Sequence, residues 1–389
     1  MVTVSEGVKY IGVDDDNIDL FEGQYPVPLG ISYNSYLIEG DEPAILDAVD
    51  VRRCEEWLVN LDNALDGRSP SYLIVQHVEP DHSGSIRKLL NRYPGLRIVA
   101  TAKAIAMLDN FFEDAGIPAR SMDVADGGTL RVGDTTLSFV TAPMVHWPEV
   151  MMTLDETRGV LFSADAFGSF AMAQATDAWD SEARRYYCNI VGKYGRSVQQ
   201  VMAKLKGRKF SVIAPLHGPV LSDNLAHYWE LYDKWSRYEP EAKGVLVAYG
   251  SIYGGTAAAA RRLADMLRQT EGSGEIELMD LGRHHVSYAV AEAFRLSSMA
   301  LCSVTCDGAV FPAMHEFISH IESKNLSDRL VGIVENGSWA PTAGRQMAAM
   351  LDKMRDMKVI QPMVTIHSRL HDSDIPQLRR LADTLVAGE

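Results

Sequence analysis

The segment Gln76-His77-Val78-Glu79-Pro80-Asp81-His82-Ser83-Gly84 is the most informative stretch of this 389-residue sequence. It follows an apolar run, residues 71–75, that predicts a buried strand, and it precedes a helix predicted at residues 86–93. His77, Glu79 and Asp81 occupy alternate positions, so an extended backbone would point these side chains to one side and His82 to the other. One loop could therefore offer ligands to two metal ions.

Three further polar residues are expected just beyond apolar runs. His146 is predicted at the end of a strand, Asp165 follows residues 161–164, and His217 follows residues 212–216. A single histidine after a strand is more often a capping or surface residue than a ligand. However, residues 1–235 contain only five histidines, and four of them lie in these loops. The joint pattern therefore predicts a metal site.

The order His-x-Glu-x-Asp-His, followed by His, Asp and His, resembles the metallo-β-lactamase fold and specifically its flavodiiron branch. Hydrolases on this fold usually carry His-x-His-x-Asp-His and bind zinc, whereas this sequence has Glu79 in place of the second histidine. A carboxylate is a harder donor than an imidazole and suits iron better. The resemblance assigns one iron to His77, Glu79 and His146, and the other to Asp81, His82 and His217, with Asp165 bridging both. In some family members the equivalent of His82 does not bind the metal.

The sequence pattern changes after a charged stretch at residues 236–243. Strand and helix signals then alternate regularly, with strands predicted at residues 245–249, 277–280, 300–304, 331–334 and 359–364, and a helix at residues 257–270. Such alternation is typical of a parallel sheet wrapped by helices. We therefore predict two domains, residues 1–240 and residues 241–389.

Three loops at predicted strand ends favour a bound mononucleotide. The first, Gly250-Ser251-Ile252-Tyr253-Gly254-Gly255-Thr256, opens a helix, whose backbone N–H groups and dipole attract a phosphate. The second is Ser303-Val304-Thr305-Cys306-Asp307-Gly308, and the third begins Asn336-Gly337-Ser338-Trp339. In a flavodoxin-like sheet, these loops would meet outside the carboxyl ends of the strands, where ligands bind.

This second domain resembles flavodoxin, which implies that the first loop holds the FMN phosphate while the other two flank the isoalloxazine ring. Trp339 could lie against that ring, or it could equally be a buried core residue. Cys306 could approach the flavin, although a buried and inert thiol is the commoner role. The second loop departs from the family pattern Ser-Pro-Thr-x-Asn-x-Gly, because Val304 and Asp307 replace proline and asparagine. A carboxylate near the flavin would disfavour extra negative charge on its reduced form.

The resemblance covers nearly the whole chain: an N-terminal metallo-β-lactamase-like αββα sandwich followed by a flavodoxin-like doubly wound parallel sheet. It implies a cytoplasmic oxidoreductase with two iron ions and FMN that reduces dioxygen to water, nitric oxide to nitrous oxide, or both. The expected electron donor is a rubredoxin or another small redox protein. Family members are head-to-tail homodimers or dimers of dimers, because the flavin and the irons of one protomer lie too far apart for fast transfer.

Charge, apolar runs and cysteine content argue against several other classes of protein. The formal net charge is −15 and no Lys/Arg cluster stands out, which disfavours a nucleic-acid partner. No apolar run approaches the ~20 residues that span a membrane, and the acidic start is unlike a signal peptide. Four scattered cysteines disfavour a disulfide framework or a fused rubredoxin site. Two alternatives stay open: a binuclear metallohydrolase in which Asp81 orients a hydroxide, and a flavin electron carrier with a vestigial metal fold.

Overall fold

The computed structural model describes residues 2–177 and 179–388. Contacts divide the chain into two compact units, Met1–Tyr187 with Tyr194–Asp233, and Cys188–Lys193 with Lys234–Glu389. The domain boundary at residues 240 and 241 stays a prediction, and its outer limits, Met1 and Glu389, lie outside the described residues. Among the described residues, no helix has the length and apolar character that a membrane crossing requires.

The first unit contains strands β1 to β16 and helices α1 to α7. Its strands are β1 (Val2–Ser5), β2 (Val8–Tyr10), β3 (Val13–Asp15), β4 (Leu20–Phe21), β5 (Tyr25–Pro26), β6 (Ile31–Tyr33), β7 (Tyr36–Ile38), β8 (Ala44–Leu46), β9 (Tyr72–Ile74), β10 (Arg97–Ala100), β11 (Ser121–Asp123), β12 (Thr129–Val132), β13 (Thr135–Thr141), β14 (Met151–Asp155), β15 (Val160–Phe162) and β16 (Val212–Ala214). Its helices are α1 (Cys54–Leu65), α2 (Pro80–Ser83), α3 (Ile86–Arg92), α4 (Ala102–Phe111), α5 (Trp179–Tyr186), α6 (Gly195–Leu205) and α7 (Leu225–Ser236), of which the last ends in the second unit.

Two main sheets pack face to face in this unit. One has the order β1-β2-β7-β8-β9-β10-β11, and the other has the order β12-β13-β14-β15-β16. Side chains from both sheets share one buried core, in which Ile74 and Tyr36 of the first sheet lie with Phe139 and Phe162 of the second. Helices complete the predicted αββα sandwich, and this part of the fold prediction is confirmed.

The second unit alternates strands and helices around one sheet. Its strands are β17 (Ala242–Gly250), β18 (Glu275–Asp280), β19 (Leu296–Cys306), β20 (Ala309–Val310), β21 (Arg329–Asn336), β22 (Met357–Val359) and β23 (Val364–Ile366). Its helices are α8 (Gly255–Gln269), α9 (Val286–Arg295), α10 (Pro312–Ser323), α11 (Ala343–Leu351) and α12 (Ile375–Ala387). The parallel order β18-β17-β19-β21-β22 is the flavodoxin-like arrangement, so this prediction is also confirmed.

One predicted strand of the second unit is wrong. Residues 359–364 do not form a single strand, because β22 ends at Val359 and β23 begins at Val364. Pro362 lies between them and has no N–H group to donate to a sheet. The chain therefore bends, and both short strands pair in parallel with β21 at different heights.

Candidate metal centre and cofactor loops

Parallel strand pairs place the candidate ligands of the first unit. β8 and β9 pair with Leu46 opposite Ile74, so Asp47 and the segment that begins at Gln76 leave the sheet at the same edge. In the other sheet, β15 and β16 pair with Phe162 opposite Ala214. Asp165 and His217 therefore follow strands that end side by side, which brings together residues far apart in sequence.

Asp81 and His82 lie on a helical turn rather than on extended backbone. α2 begins at Pro80, whose fixed φ favours the first helical position, and Glu79 precedes it with φ −55° and ψ 141°. The prediction that the side chains of His77, Glu79 and Asp81 all point to one side is therefore wrong. Asp81 lies in the same ligand group as His82 instead. His146 is also not at a strand end, because it lies in the connection between β13 and β14.

The structure brings all seven predicted ligands into two neighbouring groups. In each group the potential ligand atoms lie within 4.8 Å of one another. The first group contains His77, Glu79, His146 and Asp165, and the second contains Asp81, His82 and His217. Each group combines imidazole nitrogens with carboxylate oxygens and could hold one metal ion.

Asp165 faces both groups, with a different oxygen towards each. Its Oδ2 lies 3.2 Å from His77 Nε2 and 3.5 Å from His146 Nε2. Its Oδ1 lies 3.3 Å from His82 Nε2 and 3.7 Å from His217 Nε2. This side chain is buried, so a single carboxylate can contribute one oxygen to each of two adjacent ions.

Unpaired buried atoms show that the cluster fits metal ions. Both carboxylate oxygens of Asp81 and of Asp165, and both ring nitrogens of His82, are buried and have no hydrogen-bond partner of acceptable geometry among the described residues. Burying polar groups without partners is costly, and native structures seldom leave several together. Two coordinated cations would pair these atoms, and the mixed nitrogen and oxygen set suits a transition metal such as iron.

The charges within the cluster determine its protonation. Burial would raise the pKa of Asp165, but the imidazoles of His77, His146 and His82 hold that pKa well below its usual value. Burial also acts against ionised Glu79, yet His146 and His77 lower the pKa of its carboxyl to about 2. Conversely, Asp165 and Glu79 overcome the effect of burial and raise the pKa of His146 to about 9. The carboxylates are therefore ionised at neutral pH, as metal binding requires.

Two of the imidazoles are oriented through the ring nitrogen that faces away from the cluster. His77 Nδ1 donates to Glu149 Oε1 at 2.7 Å, and His217 Nδ1 donates to the carbonyl oxygen of Ser32 at 2.7 Å. Glu149 Oε1 also accepts the backbone N–H of Val78 at 3.1 Å. These bonds direct both Nε2 atoms towards the centre. Sequence analysis missed Glu149, and its only sequence signal is its position three residues after His146.

Asp47 is a second residue that sequence analysis missed. Its buried carboxylate accepts the backbone N–H groups of Gln76 at 2.8 Å and His77 at 3.3 Å, and the Gln76 amide at 2.9 Å. Burial raises the pKa of this carboxyl to about 6, against the effect of those hydrogen bonds. Asp47 fixes the backbone from which His77 projects. It directly follows an apolar strand, the same signal that identified Asp165.

A cavity of about 320 Å³ opens onto Glu79 and Asp81. Its wall includes Glu22, Tyr33 and Arg52, and Arg52 Nη2 donates to the Tyr33 hydroxyl at 2.8 Å. This volume is ample for a diatomic gas. On another side of the cluster, the ring of Trp147 packs edge-to-face against His77 with 5.2 Å between ring centroids. The ligands are therefore accessible to small molecules through one route and shielded by an aromatic ring elsewhere.

The three predicted cofactor loops of the second unit emerge at one edge of its sheet. β17, β19 and β21 are adjacent and parallel, with Gly250 opposite Ser303 and Val304 opposite Asn336. The segments 250–256, 303–308 and 336–339 therefore lie side by side. This is the edge at which flavodoxin-like sheets bind ligands. The second segment was predicted as a loop from residue 303, but β19 continues to Cys306, so only Asp307 and Gly308 form the turn before β20.

The first loop and Asn336 form a cradle that fits the phosphate end of FMN. No side chain caps the amino terminus of α8, which follows Gly254 at φ 90°. Asn336 Nδ2 donates to Thr256 Oγ1 at 3.3 Å, whereas Asn336 Oδ1 is buried without a partner. A side chain at Gly255 would meet the carbonyl oxygen of Ser368 at 2.2 Å. The uncapped helix-terminal N–H groups can attract the phosphate anion, whereas the unpaired Asn336 oxygen is an acceptor that suits a hydroxyl group of the ligand.

Aromatic side chains on these loops are exposed in this structure. Tyr253 is 98% exposed and Trp339 is 91% exposed, so the alternative of Trp339 as a buried core residue is wrong. Cys306 is half-buried rather than buried, which corrects the expectation of an inert core thiol. The exposed ring faces fit a planar ligand that would cover them.

A fourth loop, which follows β23, was missed by sequence analysis. Ser368 Oγ donates to Ser338 Oγ at 2.9 Å, and the carbonyl oxygen of Ser368 accepts Asn336 Nδ2 at 3.2 Å. The loop was missed because the preceding strand was predicted at residues 359–364, whereas β23 spans Val364–Ile366.

Comparisons with known proteins extend over both units. A family model described as ODP family beta lactamase matches residues 31–218. An anaerobic nitric oxide reductase flavorubredoxin of Escherichia coli (strain SMS-3-5 / SECEC) is 27% identical over 363 residues, which cover 90% of this chain and 75% of that protein. The solved rubredoxin oxygen:oxidoreductase of Desulfovibrio gigas has a TM-score of 0.91 at 24% identity, covering 100% of this chain and 98% of that one. The chain is therefore similar to flavodiiron proteins in the fold of both units and in sequence over most of its length.

Another solved structure shares the fold of this chain. The flavodiiron protein from Giardia intestinalis has a TM-score of 0.88 at 22% identity, and the alignment covers 98% of this chain and 95% of that chain. All seven candidate metal ligands fall within the region that the family model matches. The two-unit architecture, with the metal cluster in the first unit and the cofactor edge in the second, is therefore that of flavodiiron proteins.

Proposed function

We propose that this chain is a flavodiiron protein, an oxidoreductase that reduces dioxygen to water, nitric oxide to nitrous oxide, or both, at a two-iron centre with electrons from FMN. The observation that carries the proposal is Asp165, whose two carboxylate oxygens face two separate ligand groups. A flavodoxin-like unit in the same chain favours redox chemistry over hydrolysis. Relatives named as a nitric oxide reductase flavorubredoxin and as a rubredoxin oxygen:oxidoreductase support both substrates.

The proposal assigns the ligands as follows. One iron is held by His77, Glu79 and His146, the other by Asp81, His82 and His217, and Asp165 contributes to both. FMN is held by residues 250–256, 303–308 and 336–339. When bound, iron and FMN supply the electron-transfer chemistry that amino-acid side chains alone do not provide.

The protein's own groups position and tune the centre. Glu149 and the Ser32 carbonyl fix the orientation of two imidazoles, so that little reorganisation is needed when metal binds. Glu79, Asp81 and Asp165 bring three carboxylates to the cluster, which offset most of the charge of two divalent cations and favour hard metal ions. Trp147 excludes water beside His77, while the cavity at Glu79 admits small molecules.

A binuclear metallohydrolase is the strongest alternative. Glu79 argues against it, because its Oε2 lies 3.1 Å from His146 Nε2 and 3.3 Å from His77 Nε2, where it acts as a ligand of the first group. Each group then contains a carboxylate of its own, which favours iron rather than zinc. A flavin carrier with a vestigial metal fold is weaker, because an unused cluster would bury many unpaired polar atoms.

The decisive experiment combines metal analysis with gas consumption. The purified protein is assayed for iron, zinc and FMN, then mixed anaerobically with a reduced rubredoxin and given dioxygen or nitric oxide separately. Loss of either gas that requires both iron and FMN supports the proposal and identifies the preferred substrate. Zinc in the cluster, with no gas consumption, would favour the hydrolase.

A pair of histidine variants makes this assay specific to the cluster. His217→Ala removes a proposed ligand and should abolish gas consumption. His227→Ala changes a histidine of the same unit that pairs with Asp180 outside the cluster, and should retain it. Equal activity of the two variants would contradict the proposed site.

We also propose that the working form is a head-to-tail homodimer, or a dimer of dimers, in which each flavin serves the partner's metal centre. The electron donor is proposed to be a rubredoxin or another small redox protein, as the name of the Desulfovibrio gigas neighbour suggests. Dilution to monomers should abolish turnover while FMN stays bound. Full activity in a demonstrated monomer would refute transfer between protomers.

A further inference from the structure

The second cofactor loop is a hairpin turn at the tip of a central strand. β19 runs to Cys306, turns through Asp307 and Gly308, and returns as β20, with Cys306 opposite Ala309. Asp307 has φ 52° and Gly308 has φ 72°. Two consecutive positive φ values in a two-residue hairpin are typical of a type I′ turn, for which Asp-Gly is a preferred sequence. Asp307 therefore stands at the edge where the cofactor loops meet.

Hydrogen bonds from the neighbouring segment hold this turn in place. The carbonyl oxygen of Gly308 accepts the Thr342 hydroxyl at 2.9 Å and the Gln346 amide at 2.8 Å. Thr305 Oγ1 in turn accepts the backbone N–H groups of Thr342 at 3.0 Å and Ala343 at 3.2 Å. These four bonds link the turn to the first residues of α11 and to the end of the third loop. The position of the Asp307 backbone is therefore fixed before any ligand binds.

The carboxylate of Asp307 is the only acidic side chain in the loops formed by residues 250–256, 303–308 and 336–339. It is exposed, and among the described residues no lysine, arginine or histidine forms an ion pair with it. Glu335 lies just before the third loop, but it is buried and accepts the backbone N–H of Gly344 at 2.8 Å and the Thr365 hydroxyl at 2.9 Å. Asp307 is thus the one carboxylate within these three loops, and no ion pair among the described residues neutralises it.

We propose that Asp307 lowers the reduction potential of the bound flavin, an inference that rests on the proposed binding of FMN at this edge. Reduction of the ring by two electrons and one proton leaves one net negative charge on it, and both electrons come from the small redox protein proposed as donor. A fixed carboxylate nearby opposes that charge but has little effect on the uncharged oxidised ring. The flavin therefore requires a donor of low potential and is a stronger reductant towards the metal centre.

The substitution Asp307→Asn isolates the charge. Asparagine tolerates positive φ as well as aspartate does, and Asn-Gly is also preferred in this turn, so the loop conformation should be retained. The potential of FMN in the intact protein would be measured by spectroelectrochemical titration. We expect the equilibrium constant for reduction to rise about tenfold, which for a two-electron couple is a shift of about 30 mV to more positive potential. The shift should shrink at high salt, because Asp307 is exposed.

Asp265→Asn provides the matched control. Asp265 is also exposed and lies in the carboxyl-terminal half of α8, paired with Arg268 at 3.2 Å, so its loss changes the net charge equally. Because α8 begins at the cofactor edge, its carboxyl-terminal half extends away from that edge. This variant should shift the flavin potential much less than Asp307→Asn does.

The outcomes separate the inference from the proposed function. A positive shift in Asp307→Asn that exceeds the control supports the inference. No excess shift, with FMN bound stoichiometrically in all forms, would overturn it while leaving FMN binding intact. A weakened affinity for FMN without a change in potential would also overturn it, because the side chain would then be only a contact. Failure of the unmodified protein to bind FMN would refute the proposed function itself.

Discussion

Replacing Glu149 with glutamine tests how strongly the orientation of His77 controls metal binding. In the structure, Glu149 Oε1 accepts His77 Nδ1–H at 2.7 Å and the Val78 N–H at 3.1 Å, and the carboxylate is buried. Glutamine keeps an acceptor oxygen of similar reach but removes the charge. It also introduces an amide N–H₂ where Glu149 Oε2 is buried without a hydrogen-bond partner among the described residues.

The magnitude follows from these two changes. A hydrogen bond to a charged group contributes about 1.5–3 kcal/mol and a neutral one about 0.5–1.5 kcal/mol, so losing the charge costs about 1 kcal/mol. The buried, unpaired amide adds about 1 kcal/mol or more. Together they predict that metal binds about 10–100-fold more weakly, as found when similar partners of metal-binding histidines are changed. Only the group that contains His77 should be affected.

Anaerobic competition between the metal-free protein and a chromophoric Fe²⁺ chelator measures both sites in one titration. The group of Asp81, His82 and His217 serves as an internal reference, and its affinity should change little. Asp155→Asn is the external control, because Asp155 is also a fully buried carboxylate, bonded to the Thr135 hydroxyl at 2.6 Å within the second sheet. It should reduce stability without changing metal affinity. Equal weakening of both sites in Glu149→Gln, or no weakening, would refute the reasoning.

Three further predictions concern the cluster and the cofactor edge. His77→Ala should weaken metal binding more than His82→Ala, because His82 Nδ1 has no partner among the described residues that would fix its ring, whereas His77 Nδ1 bonds Glu149. Chelator competition would show the order, and the reverse order would contradict the prediction. Metal uptake near pH 7.5 should release protons, and metal affinity should rise with pH up to about 9. The reason is that the pKa of His146 is raised to about 9, so a bound metal must displace the proton of that imidazole. Calorimetry in buffers of different ionisation enthalpy would detect the released protons, and metal uptake without proton release would contradict the assignment of His146 as a ligand. Trp339→Ala should weaken FMN binding by about 5–150-fold, as expected for loss of about 1–3 kcal/mol of ring stacking. The melting temperature of the FMN-free protein should stay unchanged because the side chain is 91% exposed, and a lowered melting temperature would indicate a packing role instead.

Sequence patterns predicted the elements of this fold well where local chemistry decides the structure. The repeated strand–helix signal after residue 243 predicted the doubly wound sheet of the second unit. The metal-site residues could be selected because four of the five histidines in residues 1–235 lie in the loops expected beyond apolar runs. Asp165 and His217 were identified on that basis, and the structure places them at one edge.

Features that depend on the three-dimensional fold could not be predicted in this way. Glu149 and His77 are 72 residues apart, so no local pattern reveals that one orients the other. The direction of Asp81 depended on whether the chain stays extended or starts a helix, and Pro80 starts one. The loop at Ser368 was missed because Pro362 divides the preceding segment into two short strands.

We expect any preference of this protein between dioxygen and nitric oxide to depend on residues other than the proposed metal ligands. Proteins named for each substrate match most of this chain, which shows that the common fold does not select between them. The ligands project from segments fixed by the register of buried parallel strands, so they have little freedom to vary. The side chains that line the cavity beside Glu79, among them Glu22 and Arg52, lie on connecting segments, which tolerate substitution far better. Determinants of substrate choice are therefore expected in the wall of that cavity, and exchanging these side chains should change the ratio of the two activities while both metals stay bound.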